Sequence, residues 1–207
     1  MNTPHAPSRL LRLDASVRTE GSYTRRLADA VEARWRQAHP QGEVLRRDLA
    51  RQPPPAVTEA TTLGFYTPAG QLTSELRQAL ACSDELVAQL RAADTLLVAT
   101  PMYNFGPPSA LKAWIDQVVR VGHTFQYGPD GPQGLLQTRL AVLALASGVP
   151  GSLGGGADFM APYLEGLLKF LGVQQVVTLK VDGTAGPAAR VEAAVADAQR
   201  QAQALFG

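Results

Sequence analysis

The sequence predicts a doubly wound α/β domain on a five-stranded parallel sheet. Two observations carry that reading. Five short apolar runs alternate with five stretches whose apolar residues recur at helical spacing. The loops after the first, third and fourth runs are crowded with hydroxyl, amide and glycine residues. Open parallel sheets bind their ligands at such carboxyl ends, beside the topological switch point.

Residues 9–13 are the first apolar run, and 23–38 the first helix, with Leu27, Ala30, Val31, Arg34, Trp35 and Ala38 at helical spacing. Residues 43–48 are a short second strand. Residues 50–71 hold Pro53-Pro54-Pro55 and Phe65-Tyr66-Thr67-Pro68, so an irregular segment is expected. Long ordered loops are enriched in functional and interface roles; a plain structural excursion is the alternative. Leu76, Leu80, Val87 and Leu90 mark a helix over 73–92, and 95–99 read as a buried third strand. A helix over 108–120 follows, with Leu111, Trp114, Ile115, Val118 and Val119 apolar. Residues 122–134, rich in Gly and Pro and containing His123, Phe125 and Tyr127, suit a loop or small hairpin. Residues 140–146 are almost continuously apolar, as in a strand covered on both faces. A helix over 158–171, a fifth strand over 173–181 and a closing helix opened by Pro187 complete the pattern. No repeat, linker or composition break divides it, so 1–207 reads as one domain.

Bulk properties narrow the function classes. The chain has 207 residues, 18% of them charged, and a formal net charge of +1. That balance argues against nucleic-acid and membrane-surface partners. The single cysteine, Cys82, cannot form an internal disulfide and suits a reducing compartment; its helical setting makes it a packing residue. Residues 1–8 are polar and lack the apolar core of a signal peptide. No run approaches the ~20 apolar residues that span a bilayer. A cytoplasmic protein is expected. The three histidines, His5, His39 and His123, lack metal-ligand spacing, so no metal is expected. His123 lies in a candidate site loop, where a hydrogen-bonded ring is the simpler expectation.

Three loops carry the functional signal. The first brings Ser16, Ser22, Tyr23 and Thr24 to the start of a helix. Free N–H groups and the helix dipole favour an anion there. Ser22 could equally be only a helix cap; Ser16 and the strand-loop-helix context favour a phosphate. Neither the G-x-x-x-x-G-K-[ST] nor the G-x-G-x-x-G spacing is present, so one phosphate on a short tail fits better than a pyrophosphate. The second loop, Pro101-Met102-Tyr103-Asn104-Phe105 with Gly106-Pro107-Pro108-Ser109 after it, offers ring surface, backbone polar groups and an amide for the edge of a flat heterocycle. A turn whose aromatics finish the core is the alternative. The third, Ser147-Gly148-Val149-Pro150, allows close backbone approach to a ring edge, or is a plain surface loop. Residues 150–154 superficially resemble a nucleophile elbow but lack its first glycine.

The combination of Leu13-Asp14-Ala15-Ser16, Ser22-Tyr23-Thr24, Pro101-Met102-Tyr103-Asn104-Phe105 and Gly122-His123-Thr124-Phe125-Gln126-Tyr127 resembles the bacterial FMN-dependent NADH azoreductases and quinone reductases. The resemblance spans nearly the whole chain, including Asp48-Leu49-Ala50 and Pro162-Tyr163-Leu164. It implies a flavodoxin-like three-layer sandwich of strand order 2-1-3-4-5. It implies a homodimer with one FMN per subunit at the interface. Ser16 and Ser22 to Thr24 would hold phosphate and ribityl chain, Pro101 to Phe105 would line the isoalloxazine, and Ser147 to Pro150 would meet its polar edge. Phe125 and Tyr127 would wall the substrate pocket. The chain departs from the family where S-R-G-G is replaced by Ser147-Gly148-Val149-Pro150.

The activity so implied is ping-pong transfer of two electrons, as hydride through flavin N5, from NADH or NADPH to a quinone or azo acceptor. The flavin would carry the chemistry, so no catalytic side chain is expected. Two other classes compete: a flavodoxin-type electron carrier without a substrate pocket, and a flavin-free regulatory or scaffold domain. Near-neutral charge and the aromatic 122–134 segment argue against the carrier.

Overall fold

The computed structural model describes residues 8–149 and 158–206. Its strands are β1 (Arg9–Asp14), β2 (Glu43–Asp48), β3 (Thr95–Pro101), β4 (Phe125–Gly128), β5 (Gly131–Gly134), β6 (Leu140–Ala146) and β7 (Gln175–Val181). Five of them form one parallel sheet in the order β2-β1-β3-β6-β7. Counted within that sheet, this is the expected 2-1-3-4-5 arrangement. The other two pair antiparallel as the small hairpin, Phe125 opposite Gly134.

Six α-helices are described: α1 (Tyr23–Ala38), α2 (Glu59–Tyr66), α3 (Ser74–Ala92), α4 (Ser109–Val118), α5 (Met160–Phe170) and α6 (Ala188–Gln203). Alternate residues along the strands serve opposite faces, which makes three layers. Leu11, Leu13, Leu96, Val98, Leu143 and Leu145 pack under α3, α4 and α5, through Leu86, Trp114 and Leu164 among others. Leu10, Leu97, Ala99, Val142 and Ala144 pack under α1 and α6, against Leu27, Val31, Trp35, Val191 and Val195. Each fully buried leucine or valine contributes roughly 1.5–3 kcal/mol. Trp35 is buried but not polar-orphaned, because its Nε1 donates to Thr95 Oγ1 at 3.2 Å.

The expected irregular segment over 50–71 contains α2 and a 3₁₀ turn at Ala69–Gln71. Two threonines, a glycine and two aromatics make α2 a poor helix by propensity, and tertiary support overrides that. Thr58 caps it, its Oγ1 accepting from the Thr61 N–H at 3.2 Å. Phe65 lies under the Arg120 guanidinium, 4.8 Å from the ring centroid. Arg120 is buried and also donates to Ser83 Oγ at 3.0 Å and to Asp84 Oδ1 at 2.6 Å. It therefore fixes the segment that leads from α4 into the hairpin. No helix among the described residues is long and apolar enough to cross a membrane.

Candidate functional site

Strand register brings the predicted loops together. Asp14 pairs with Ala99 and Pro101 with Ala146, so β1, β3 and β6 end at one edge. Between those ends lies a cavity of about 240 Å³ lined by Ser16, Arg18, Ser22, Tyr23, Thr24, Pro101, Met102, Tyr103, Ala146, Gly148 and Thr184.

The hydroxyl wall is built by α1. Ser22 is its N-cap, with Oγ accepting from the Arg25 N–H at 3.4 Å, and it shares a 3.1 Å hydrogen bond with Thr24 Oγ1. Ser16 Oγ accepts from the Arg18 N–H at 3.2 Å. Ser16, Ser22 and Thr24 are all nearly inaccessible to bulk water. Capping therefore does not exclude a binding role for Ser22: the same hydroxyl closes the helix and lines the cavity.

Beneath α1 a charged network sets its angle on the sheet. Arg12 on β1 is buried and grips Asp14 with two bonds of 3.0 and 3.1 Å. It also reaches Asp29 at 2.6 Å and Glu32 at 3.1 Å on α1. Burial pulls the Arg12 pKa down, but Asp14 and Asp29 overcome it and hold the pKa above its usual value. Burial likewise works against the Glu32 carboxylate, yet Arg46, Arg36 and Arg12 hold its pKa below the usual range. A buried pair of this kind resists separation, because either partner alone would be an uncompensated charge.

The opposite wall is the end of β3. Met102 N–H donates to Ala146 O at 2.8 Å, which extends the pairing with β6 past the strand. Tyr103 and Gly106 exchange bonds of 2.9 and 3.1 Å around Asn104 and Phe105. Those two residues have φ of 48° and 68°, so the turn is of type I′. Asparagine tolerates that conformation; phenylalanine is strained in it. The turn holds Asn104 and Phe105 exposed, outside the lining of the cavity.

The third loop is only partly enclosed. Gly148 lines the cavity, whereas Ser147 and Val149 do not. Ser147 Oγ lies 2.7 Å from Asp182 Oδ1 and 2.9 Å from Val149 O, so its single proton is already engaged. Thr184 enters instead, held by its hydroxyl donating to Ser147 O at 3.1 Å. Pro150, and with it the elbow-like segment over 150–154, lies outside the described residues.

Of the sequence-derived candidates, Ser16, Ser22, Tyr23, Thr24, Pro101, Met102, Tyr103 and Gly148 are gathered in one cavity. Phe125 and Tyr127 are not. They form an edge-to-face pair at 5.7 Å on the hairpin, and Phe125 also packs 5.0 Å from Phe170. His123 Nε2 lies 3.5 Å from Arg120 Nη2, and burial with that neighbouring charge lowers its pKa. Arg18, Ala146 and Thr184 were not anticipated. Arg18 sits inside the first loop, and Thr184 follows the strand that the 2-1-3-4-5 order places beside β6. Among the described residues no group of three His, Cys, Asp or Glu could hold a metal ion.

Larger cavities lie elsewhere. One of about 380 Å³ near the amino ends of β1 and β2 is walled largely by Leu10, Leu11, Leu45, Ala88, Ala92 and Ala93 and brings no hydroxyl cluster together. The strand-end cavity is the smaller one, yet it combines a helix amino end, buried hydroxyls and a ring-bearing strand end.

This arrangement defines a doubly wound α/β protein with a cavity at the switch point. A family model described as "Flavodoxin-like fold" matches residues 8–206. FMN-dependent NADH:quinone oxidoreductase of Xanthobacter autotrophicus is 48% identical over 171 residues, covering 81% of this chain and 82% of that protein. The protein of that name from Dechloromonas aromatica is 39% identical over 203 residues, covering 96% and 99%. The azoreductase of Bacillus anthracis superposes with a TM-score of 0.83 at 28% identity, covering 95% of this chain and 99% of that one. The chain belongs to the flavodoxin-like family that includes the FMN-dependent NADH:quinone oxidoreductases.

Proposed function

We propose that this protein binds FMN in the strand-end cavity and passes two electrons from NADH or NADPH to quinones and azo compounds. The observation that carries the reading is the facing of three buried hydroxyls at the amino end of α1 by the Pro101–Tyr103 strand end across one cavity. Ser16, Ser22, Tyr23 and Thr24 would hold the phosphate and ribityl chain, and Pro101, Met102 and Tyr103 the flat ring. Gly148 admits the ring edge closely because it has no side chain. Hydroxyls and a helix amino end suit a phosphate ester, so the donor set fits the group. When bound, FMN would supply the hydride-transfer chemistry, and the residues named would hold it. The chain's own part is to orient the ring, exclude water from one face and leave the other open.

Asn104, Phe105, Ser147 and Val149 belong, in this proposal, to the outer part of the site, with Phe125 and Tyr127 as its aromatic wall. A homodimer would complete that part. Support comes from large apolar side chains left exposed, among them Phe105 at 49% and Tyr127 at 74%. Residues 1–207 act as one domain in the cytoplasm, consistent with a lone unpaired Cys82.

The test is turnover by FMN-loaded protein with NADH or NADPH and either a simple quinone or an azo dye. Parallel double-reciprocal lines are expected, as alternating half-reactions require. FMN-loaded protein that oxidises neither nucleotide in the presence of a quinone would sink the enzyme reading and leave the electron carrier.

A further inference from the structure

We infer that Arg18 makes this site select a phosphorylated flavin over the unphosphorylated one. The inference rests on the FMN reading above and deepens it. Among the side chains that line the cavity, Arg18 alone carries a charge. The neighbouring arginines of α1 are already matched: Arg25 with Asp48 and Arg26 with Glu192. Arg18 forms no ion pair among the described residues, and its side chain is exposed at the cavity mouth.

The loop backbone presents it there. Arg18 N–H donates to Ser16 Oγ at 3.2 Å, and Arg18 O accepts from Arg25 Nε at 3.1 Å. Its main chain is thus pinned from both sides. Gly21 turns the loop back with φ of 62°, and a Cβ at that position would lie 3.4 Å from Arg18 Nη2. The guanidinium therefore rests over the turn that delivers the chain to Ser22.

Every other donor on this wall is neutral. Hydroxyls and backbone N–H groups donate to any oxygen of suitable placement, a ribityl hydroxyl as readily as a phosphate. A full positive charge discriminates, because a phosphate monoester carries about −1.5 to −2 at pH 7 and a ribityl alcohol carries none. The planar fork of arginine also suits paired phosphate oxygens better than a point charge does.

The test measures dissociation constants for FMN and for riboflavin, by quenching of flavin fluorescence, in the wild type, Arg18→Ala and Arg18→Lys at low and high salt. Arg18→Ala is expected to weaken FMN by about tenfold or more. Riboflavin should stay within about twofold of the wild type, and the salt dependence of FMN binding should flatten. Arg18→Lys should fall between. An FMN-to-riboflavin ratio unchanged by Arg18→Ala overturns the role of Arg18 while leaving the FMN site standing. A wild type that binds neither flavin overturns the FMN reading itself.

Discussion

Arg25 donates from Nη2 to the carbonyl oxygen of Ser16 at 2.8 Å, while the same guanidinium closes on Asp48 with bonds of 2.9 and 3.0 Å. One side chain thus ties the first turn of α1 to the loop after β1 and to the end of β2. Removing it leaves Asp48 half-buried beside two backbone donors, Ala50 and Arg51, and releases the Ser16 loop. Arg25→Ala is expected to cost about 2 kcal/mol, the scale of a charge-assisted hydrogen bond with its partner left behind. Arg25→Lys should recover little, because an ammonium cannot reach Ser16 O and both Asp48 oxygens at once. Urea denaturation measures both. FMN affinity should fall in parallel, because Ser16 loses its anchor.

Acid should attack this same region. Burial disfavours the charged form of Asp48, but hydrogen bonding and charge from Arg25 overrule it, so its folded-state pKa lies below the usual value. Glu32 behaves likewise under Arg46, Arg36 and Arg12. A carboxylate depressed on folding stabilises the protein above its unfolded pKa of about 4 and loses that contribution as pH falls through the folded value. Below about pH 4 the unfolded chain binds more protons, so stability rises with pH there. Asp48→Asn should lower the melting temperature at pH 7 and flatten its decline as pH falls below about 4. Equal acid slopes for the variant and the wild type would count against the network.

The sheet was legible because its signals are local. A strand covered on both faces must be apolar throughout, and 140–146 is. The hydroxyl wall was legible for the same reason: Ser16, Ser22 and Thr24 lie within one loop and the first turn of one helix. What escaped depends on contacts far apart in the chain. Helix α2 survives its own poor propensity through Thr58 and the stacking of Phe65 on Arg120, 55 positions away by their numbers. Thr184 enters the cavity only because β7 lies beside β6. The partner of the Ser147 hydroxyl is equally hidden from a local reading, because Asp182 lies 35 residues on.

Gly134 is a packing requirement rather than a flexible point. A Cβ there would lie 2.2 Å from both Gly172 N and Leu171 C, and 2.5 Å from Leu171 O. Those are backbone atoms at the end of α5, held in turn by the Leu136 N–H donating to Leu171 O at 3.0 Å. They cannot move aside cheaply. Gly134→Ala should therefore destabilise by about 3 kcal/mol, the upper end of ordinary overpacking. It should also loosen the hairpin, releasing Phe125 from its packing on Phe170. A melting temperature equal to the wild type would show that the hairpin does not seat on α5 as described.

The type I′ turn at Asn104-Phe105 should trade stability against function. Both residues hold positive φ, at 48° and 68°, and only glycine does so without steric cost. Phe105 buries little in return, being 49% exposed. Phe105→Gly is therefore expected to raise stability modestly, the left-handed cost of roughly 1–2 kcal/mol less roughly 0.5–1 kcal/mol for the added freedom of glycine, read as a higher urea midpoint. Asn104→Gly should be closer to neutral, since asparagine already tolerates the left-handed region. Asn104→Val should act the other way, because a β-branched side chain at positive φ would open the turn and break the exchange between Tyr103 and Gly106. If the turn carries the outer part of the flavin site, Phe105→Gly will be more stable yet slower with quinones, the pattern expected where strain is retained for activity. A Phe105→Gly variant that is less stable than the wild type would mean that the exposed ring is covered in solution by a partner surface.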